Sequence, residues 1–305
     1  MNRQIRGIPH FASLLAEHPR ALAGWGRKPS GRRAVALSRW LGRPFVLLED
    51  GFLRSVAREE APRSLLIDDL GVYYDATAPS RMERAIAAGV TAPEAARALA
   101  IAAAWADAGL SKYNHAPAWE QQLPERYVLV ADQCFGDLSV AGGLADARSF
   151  AAMLDAALAE WPGLPVLVKL HPEVAAGRRR GYLDGAALAD PRLTLIGEEC
   201  HPVTLVAGAA AIYAVSSLIG FEGLLHGRPV RCFGMPFYAG WGLTGDALPA
   251  PSRRGAASLA ALVHAAFVAL PRYVDPASGA RCEAEQAIAR AALDRAALLR
   301  ARAGA

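Results

Sequence analysis

Five short apolar runs in the second half of the chain, each closing on a polar word, constrain the fold more than any other feature. They are Tyr127-Val-Leu-Val-Ala131, Val166-Leu-Val-Lys169, Leu193-Thr-Leu-Ile196, Ala211-Ile-Tyr-Ala-Val215 and Pro229-Val-Arg-Cys-Phe233. Runs this short suit strands buried on both faces, the hallmark of parallel sheets. Between them lie helical stretches, Leu144 to Trp161 (closed by Pro162-Gly163) and Ser217 to His226. The first half repeats the alternation, with strands at Phe45–Leu48 and Ser64–Ile67 and one or two Ala-rich helices over Ser80–Ala108. Strands alternating with helices predict an α/β fold of two Rossmann-like lobes, each a parallel sheet covered by helices, with a cleft between them. Proline breaks at His115-Ala-Pro117 and Leu123-Pro124 put the junction there. The expected division is 1–120, 121–270 and a C-terminal helical segment over 271–305, with its helix from Glu283 to Ala303.

A chain of 305 residues, 53% hydrophobic and 20% charged, can fill such cores. Its net charge of +4 favours an anionic ligand or an acidic membrane surface and falls short of a nucleic-acid signature. Cys134, Cys200, Cys232 and Cys282 form no CxxC pair, so neither a zinc site nor a disulfide framework is expected, and the thiols fit a reducing cytoplasm. Met1 to Arg6 lack the apolar core of a signal peptide, and no run of about 18 apolar residues predicts a membrane span. Peripheral attachment stays open. The basic face of the C-terminal helix reads either as a membrane contact or as a solvated face.

In open α/β sheets ligands bind beyond the carboxyl ends of strands, so polar residues there carry most weight. Lys169, His171, Pro172 and Glu173 follow one strand. A lysine and a histidine there can hold a phosphate, with imidazolium stabilising or protonating the leaving oxygen, or can simply close the strand. Ser216 and Ser217 precede a helix and read as an anion site, as an N-cap, or as both. Glu222, a turn further on, fits ribose hydroxyls or an ordinary helix carboxylate. Glu49-Asp50-Gly51 offers a general base or a turn, with Arg54 and Ser55 next to it for an acidic ligand. The loop Asp132-Gln-Cys-Phe-Gly-Asp-Leu-Ser139 offers a nucleophile or a residue that orients a sugar, or it caps a helix. The Gly/aromatic loop from Gly234 to Thr244 can present Tyr238 and Trp241 to a sugar, or pack them on protein. Its Gly240-Trp-Gly-Leu-Thr-Gly245 string lies well past a strand and opens no clear helix, so it is read as a chance GxGxxG match. No Walker-type loop or GxSxG elbow is present.

Taken in order, six words resemble the KpsC-type β-Kdo transferases of bacterial capsule export: Glu49–Ser55, Asp68–Asp75, Asp132–Ser139, Lys169–Glu173, Ser216–Glu222 and Pro236–Thr244. The resemblance implies a GT-B fold and a retaining transfer that uses no metal or other cofactor. The donor it implies is CMP-β-Kdo, and the acceptor a growing oligo-Kdo linker on lyso-phosphatidylglycerol at the inner face of the cytoplasmic membrane. Many KpsC chains carry two modules; this one has the length of one and looks more like the C-terminal module. The Glu-Asp-Gly and His-Pro words are also similar to those of CMP-dependent sialyltransferases. By these likenesses His171, Ser216 and Ser217 hold the CMP phosphate, Glu49 or Asp50 activates the acceptor, and Asp137 is the nucleophile, with Asp132 second. Gln133 and Ser139 share the sugar side with Arg54, Ser55, Tyr238 and Trp241. Contacts with other capsule-assembly proteins are a further expectation. Two rivals remain: a transferase of another CMP-sugar, and a non-catalytic module that binds capsule glycolipid.

Overall fold

The computed structural model describes residues 14, 15 and 17–303; the Met1 to Arg6 segment lies outside them. The chain forms two compact units. Unit 1 holds the described residues up to Tyr73, then Ala78–His115, and the chain from Leu259 onward. Unit 2 holds Tyr74–Thr77 and Ala116–Ser258.

Unit 2 contains a six-stranded, wholly parallel sheet. Its strands are β4 (Val128–Ala131), β5 (Val166–Lys169), β6 (Leu193–Ile196), β7 (Ala211–Ala214), β8 (Val230–Cys232) and β9 (Gly245–Asp246), in the spatial order β6-β5-β4-β7-β8-β9. Counted from β4, this is the 3-2-1-4-5-6 order of a doubly wound sheet, whose switch point lies between its first and fourth strands. Every residue of β4, β5 and β7 is buried. Val128, Val130, Val168 and Tyr213 pack on Phe150, Met153, Leu154 and Ala157, which recur at helical spacing along the helix Ala147–Glu160. Asp146 caps that helix, accepting the N–H groups of Arg148 and Ser149.

Unit 1 departs from the expected parallel sheet. Its strands β1 (Leu22–Trp25), β2 (Phe45–Asp50), β3 (Ser64–Asp68), β10 (Pro271–Val274) and β11 (Arg281–Cys282) lie in sequence order, and only β1 and β2 are parallel. The reason is the connection. The helix α1 (Pro29–Leu41) carries the chain from β1 back to a parallel β2, whereas residues 51–63 hold no helix and return β3 antiparallel. Two helices follow, α2 (Arg81–Ala87) and α3 (Ala92–Asp107). Asp68 ties β3 to the start of α2: one carboxylate oxygen accepts from Leu70 and Gly71 and the other from Arg81, each at 2.8 Å. The chain from 259 on is not a separate segment, because β10 completes the unit 1 sheet against β3.

Among the described residues no single helix is long and apolar enough to cross a membrane. The pair α2 and α3 passes such a test only together, bent by 119°, and it buries Met82, Ile86, Ile101 and Trp105. All four cysteines are free thiols.

Candidate active site

At the switch point of the parallel sheet the chain leaves β4 into Asp132-Gln133 and leaves β7 into Val215-Ser216-Ser217. Gln133 joins the two exits. Its Oε1 accepts the Ser216 N–H at 3.0 Å, and its Nε2 donates to Ser216 Oγ at 3.0 Å and to Ser139 Oγ at 3.3 Å. The hydroxyls of Ser139 and Ser216 are 3.0 Å apart. Three polar side chains from two loops, Gln133 and Ser139 on one and Ser216 on the other, therefore form one network.

Asp137 caps the short helix α4 (Leu138–Gly142), its Oδ1 accepting the Ser139 N–H at 2.9 Å, and its carboxylate is exposed. Asp132 is the opposite case. It is buried, and one oxygen accepts the N–H groups of Tyr182 and Leu183, each at 3.2 Å. Burial raises its pKa, against the bonds from backbone N–H groups. Asp132 holds the segment 181–183 in place, which leaves Asp137 as the carboxylate a ligand can reach.

His171 begins the turn α5 (Pro172–Ala175), where Pro172 fits because the first helical residue needs no N–H partner. Its Nδ1 accepts the Glu173 N–H at 3.2 Å, so the neutral ring carries its proton on Nε2, the nitrogen left to donate outward. Desolvation lowers the His171 pKa; Glu173 opposes this, Arg179 and Lys169 add to it, and Asp137 acts to raise it. The ring is thus a neutral N–H donor near pH 7 more than an imidazolium. Glu173 is engaged by Arg178 at 2.6 Å.

Lys169 takes a different place from the phosphate-binding one expected. It is buried, and its ammonium donates to the carbonyls of Leu170 at 2.9 Å and Glu198 at 3.1 Å, with Ile196 at 3.5 Å. Burial lowers its pKa. It closes the ends of β5 and β6.

The run Gly177-Arg-Arg-Arg-Gly181 brings cations next to the Asp132–Ser139 loop. Its backbone braces this loop: Phe135 N–H donates to the Arg180 carbonyl at 2.8 Å. Arg179 donates to the Phe135 carbonyl at 3.1 Å, and its charge acts on His171, Cys134 and Glu173. Three adjacent arginines between glycines were the available signal.

Ser217 caps α6 (Leu218–Leu225), its hydroxyl accepting the Ile219 N–H at 3.3 Å, and Glu222 is buried within this helix. Tyr238 and Trp241 do not present rings to a sugar. Both are buried, at 0% and 1% exposure. The Tyr238 hydroxyl donates to the Ser217 carbonyl, and Trp241 Nε1 donates to Phe237 O at 2.8 Å. Gly220 makes the first contact possible, since a Cβ there would lie 2.3 Å from the Tyr238 oxygen. The loop is a prop beneath the start of α6, held by Arg254, whose guanidinium lies 5.6 Å from the Trp241 ring centroid and donates to the carbonyls of Pro236 and Ala239.

In unit 1, Glu49 and Asp50 end β2 half-buried, with Arg54 Nε 3.9 Å from Asp50. Tyr113 stands near them: desolvation raises its pKa, and the charges of Asp50 and Glu49 add to that. Gly51 is required by packing rather than by a turn, because a Cβ there would lie 2.1 Å from Ser64 Oγ. Ser55 is 1% exposed, and its carbonyl accepts both the backbone and side-chain N–H of Asn114 at 3.1 Å. It is scaffold rather than acceptor contact. A separate cavity of about 370 Å³ in unit 1 lies by Tyr273, Cys282 and Gln286; its Arg272 and Arg281 are both paired with Glu17. Among the described residues no group of three His, Cys, Asp or Glu side chains is placed to hold a metal.

Fold and site together define an α/β protein whose polar strand-end network sits where doubly wound sheets bind ligands. The chain belongs to the capsule polysaccharide biosynthesis protein family, whose pattern matches residues 20–104 and 98–273. It is similar to KpsC, β-Kdo 2,4 transferase, of Thermosulfurimonas dismutans, with 39% identity, coverage of 96% of each chain and a TM-score of 0.87. A second KpsC chain from that organism, described as a β-Kdo 2,7 transferase, matches at 26% identity and a TM-score of 0.68, covering 96% of this chain and 90% of that one. The α/β, GT-B-like fold class read from the sequence agrees with these matches. The capsule polysaccharide modification protein LipA of Neisseria meningitidis serogroup B is 39% identical over 303 residues, 91% of this chain and 43% of LipA. The chain thus spans less than half the length of that relative.

Proposed function

We propose that the chain is a retaining glycosyltransferase that moves Kdo from CMP-β-Kdo to a Kdo-terminated lipid linker during capsule assembly. The observation that carries this reading is the Gln133–Ser139–Ser216 network at the switch point, with Asp137 and His171 on the adjoining loops. Membership of a capsule biosynthesis family and likeness to two Kdo transferases support the sugar. The higher identity to the β-Kdo 2,4 transferase favours a 2,4 linkage.

In this reading Ser216, Ser217 and the N–H groups opening α6 receive the CMP phosphate. His171 donates from Nε2 to the leaving oxygen, Arg179 lies beside it for the donor's anionic groups, and Glu222 takes the ribose. The Asp137 carboxylate attacks the anomeric carbon; the carbon–oxygen bond to CMP breaks and CMP leaves with the electron pair. An acceptor hydroxyl then displaces Asp137, its proton passing to Glu49 or Asp50, and two inversions give net retention. Arg54 is assigned to the anionic acceptor. No step calls for a metal or other cofactor. The lipid acceptor places the work at the cytoplasmic face of the membrane, with the protein peripheral to it and beside other capsule-assembly proteins.

The test is product analysis by NMR after incubation with CMP-Kdo, generated in situ, and a synthetic Kdo-lipid acceptor. A new β-linked Kdo is expected. Turnover with CMP-sialic acid alone refutes the sugar assignment; a folded protein with no turnover on either donor refutes the enzyme reading.

A further inference from the structure

Helix α1 is built inside out. It buries Gly31, Ala34 and Ser38 against the sheet of unit 1 and leaves its large apolar residues outside. Trp40 is 80% exposed, Leu37 47% and Leu41 46%. With Arg33 they fall at i, i+4, i+7 and i+8, which is one face of a helix. An ordinary surface helix shows the reverse pattern, with Leu and Trp turned to the core.

The chain on either side of α1 is uniformly cationic. Between Glu17 and Glu49 the chain has seven Lys or Arg residues and no Asp or Glu. Arg39 occupies the last turn of α1. Arg43 is exposed just beyond the helix and donates to the Arg20 carbonyl at 2.8 Å, bringing the exposed Arg20 to the same end. Glu17, the nearest acid before this stretch, is held by Arg272 and Arg281. Tryptophan and leucine ringed by arginine on an outward helix face match the interface of an anionic bilayer, where indole sits at headgroup level and each cation is drawn to the negative surface.

We infer that the outward face of α1, with Leu37, Trp40 and Leu41 beside Arg33, and with Arg39 and Arg43 close by in the chain, docks the protein on an anionic lipid surface. The face carries no acid that would oppose such a surface, and its apolar residues insert only to headgroup depth. The inference adds a surface to the proposed peripheral location, and its test reads lipid binding without turnover.

The experiment is co-sedimentation of the full chain with vesicles of phosphatidylglycerol and phosphatidylcholine in equal parts, against phosphatidylcholine alone. Binding to the anionic vesicles that weakens with salt is expected. Leu37→Ser/Trp40→Ser is expected to lower partition about tenfold or more with an unchanged melting temperature. Arg33→Gln/Arg39→Gln is expected to cost on the order of tenfold and to flatten the salt dependence. Equal binding to neutral vesicles, wild-type partition by both double variants, or a chain that stays in the supernatant overturns the inference. A dimer in solution that Leu37→Ser/Trp40→Ser converts to monomer, with no vesicle binding, also overturns it and assigns the face to a second copy. Vesicle binding without Kdo transfer would leave this surface standing and sink only the proposed reaction.

Discussion

Gln133 grips Ser216 with both ends of its amide, accepting the serine N–H and donating to its hydroxyl, each at 3.0 Å. Both residues are buried, so removing the amide leaves polar groups without partners. Gln133→Ala is expected to cost about 1–3 kcal/mol in urea unfolding. It should also abolish the melting-point rise given by CMP, since ligand stabilisation requires the native site. A variant that unfolds earlier yet keeps the full CMP response would place the network in the scaffold alone.

The two aspartates of the same loop separate by experiment because their surroundings differ. Asp137 is exposed and bonded only on one oxygen to Ser139 N–H, whereas Asp132 is buried and holds Tyr182 and Leu183. Asp137→Ala is expected to lower transfer by roughly a thousandfold or more while leaving folding and CMP binding close to wild type. Asp132→Ala is expected to cost about 1–3 kcal/mol for each N–H left unpaired. Full transfer by Asp137→Ala would remove it as the nucleophile.

His171 gives a pH test with a defined sign. Its folded pKa lies below the ordinary value of 6.5 because of desolvation. The unfolded ring therefore takes up its proton first as pH falls, and stability is lost from about pH 6.5 down to the folded pKa. A bound phosphate reverses this locally by favouring the imidazolium. The CMP affinity of the wild type relative to His171→Asn is expected to grow as pH drops below 6.5, with CMP's own titration cancelling in the ratio. A ratio independent of pH between 5.5 and 7.5, read by calorimetry, would separate His171 from the phosphate.

Much of this architecture is legible as local pattern, and what is not has physical causes. The strands Val166–Lys169 and Leu193–Ile196 match their apolar runs residue for residue, and the runs that became β4, β7 and β8 differ only at their ends. Strand direction in unit 1 is not legible, because a buried strand reads alike whichever way its neighbour runs. β10 hides behind a leading proline and pairs with β3 from more than two hundred residues away. At the strand ends, the polar words that hold Asp137, His171 and Ser217 are legible because each of these residues precedes the helix it caps. Lys169 is misread because a strand-end lysine looks the same whether its ammonium meets a ligand or three carbonyls. The place of Arg179 beside the Asp132–Ser139 loop is not legible because it comes from the pairing of its segment with Phe135.

The aromatic loop offers the last test, since the two readings of Trp241 predict different observables. An exposed ring that stacks on a sugar can be removed at little cost in stability. Trp241 is instead 1% exposed, bonded to Phe237 O and covered by the Arg254 guanidinium. Trp241→Ala is therefore expected to cost about 3–5 kcal/mol, through lost burial and the cavity left behind. Tyr238→Phe removes only the hydroxyl that donates to Ser217 O and should cost about 0.5–1.5 kcal/mol. Because that carbonyl belongs to the cap residue of α6, the Phe variant should also weaken CMP binding several-fold. Gly220→Ala tests the same contact from the other side: the added methyl carbon meets the Tyr238 oxygen at 2.3 Å and must displace the ring. Tyr238→Phe relieves only the nearest contact, since ring carbons at 2.8 and 2.9 Å still meet the methyl, so Tyr238→Phe/Gly220→Ala should stay less stable than Tyr238→Phe alone. A Gly220→Ala variant as stable as the wild type, read from urea midpoints of the four proteins, would show that the Tyr238 ring does not pack against the helix start.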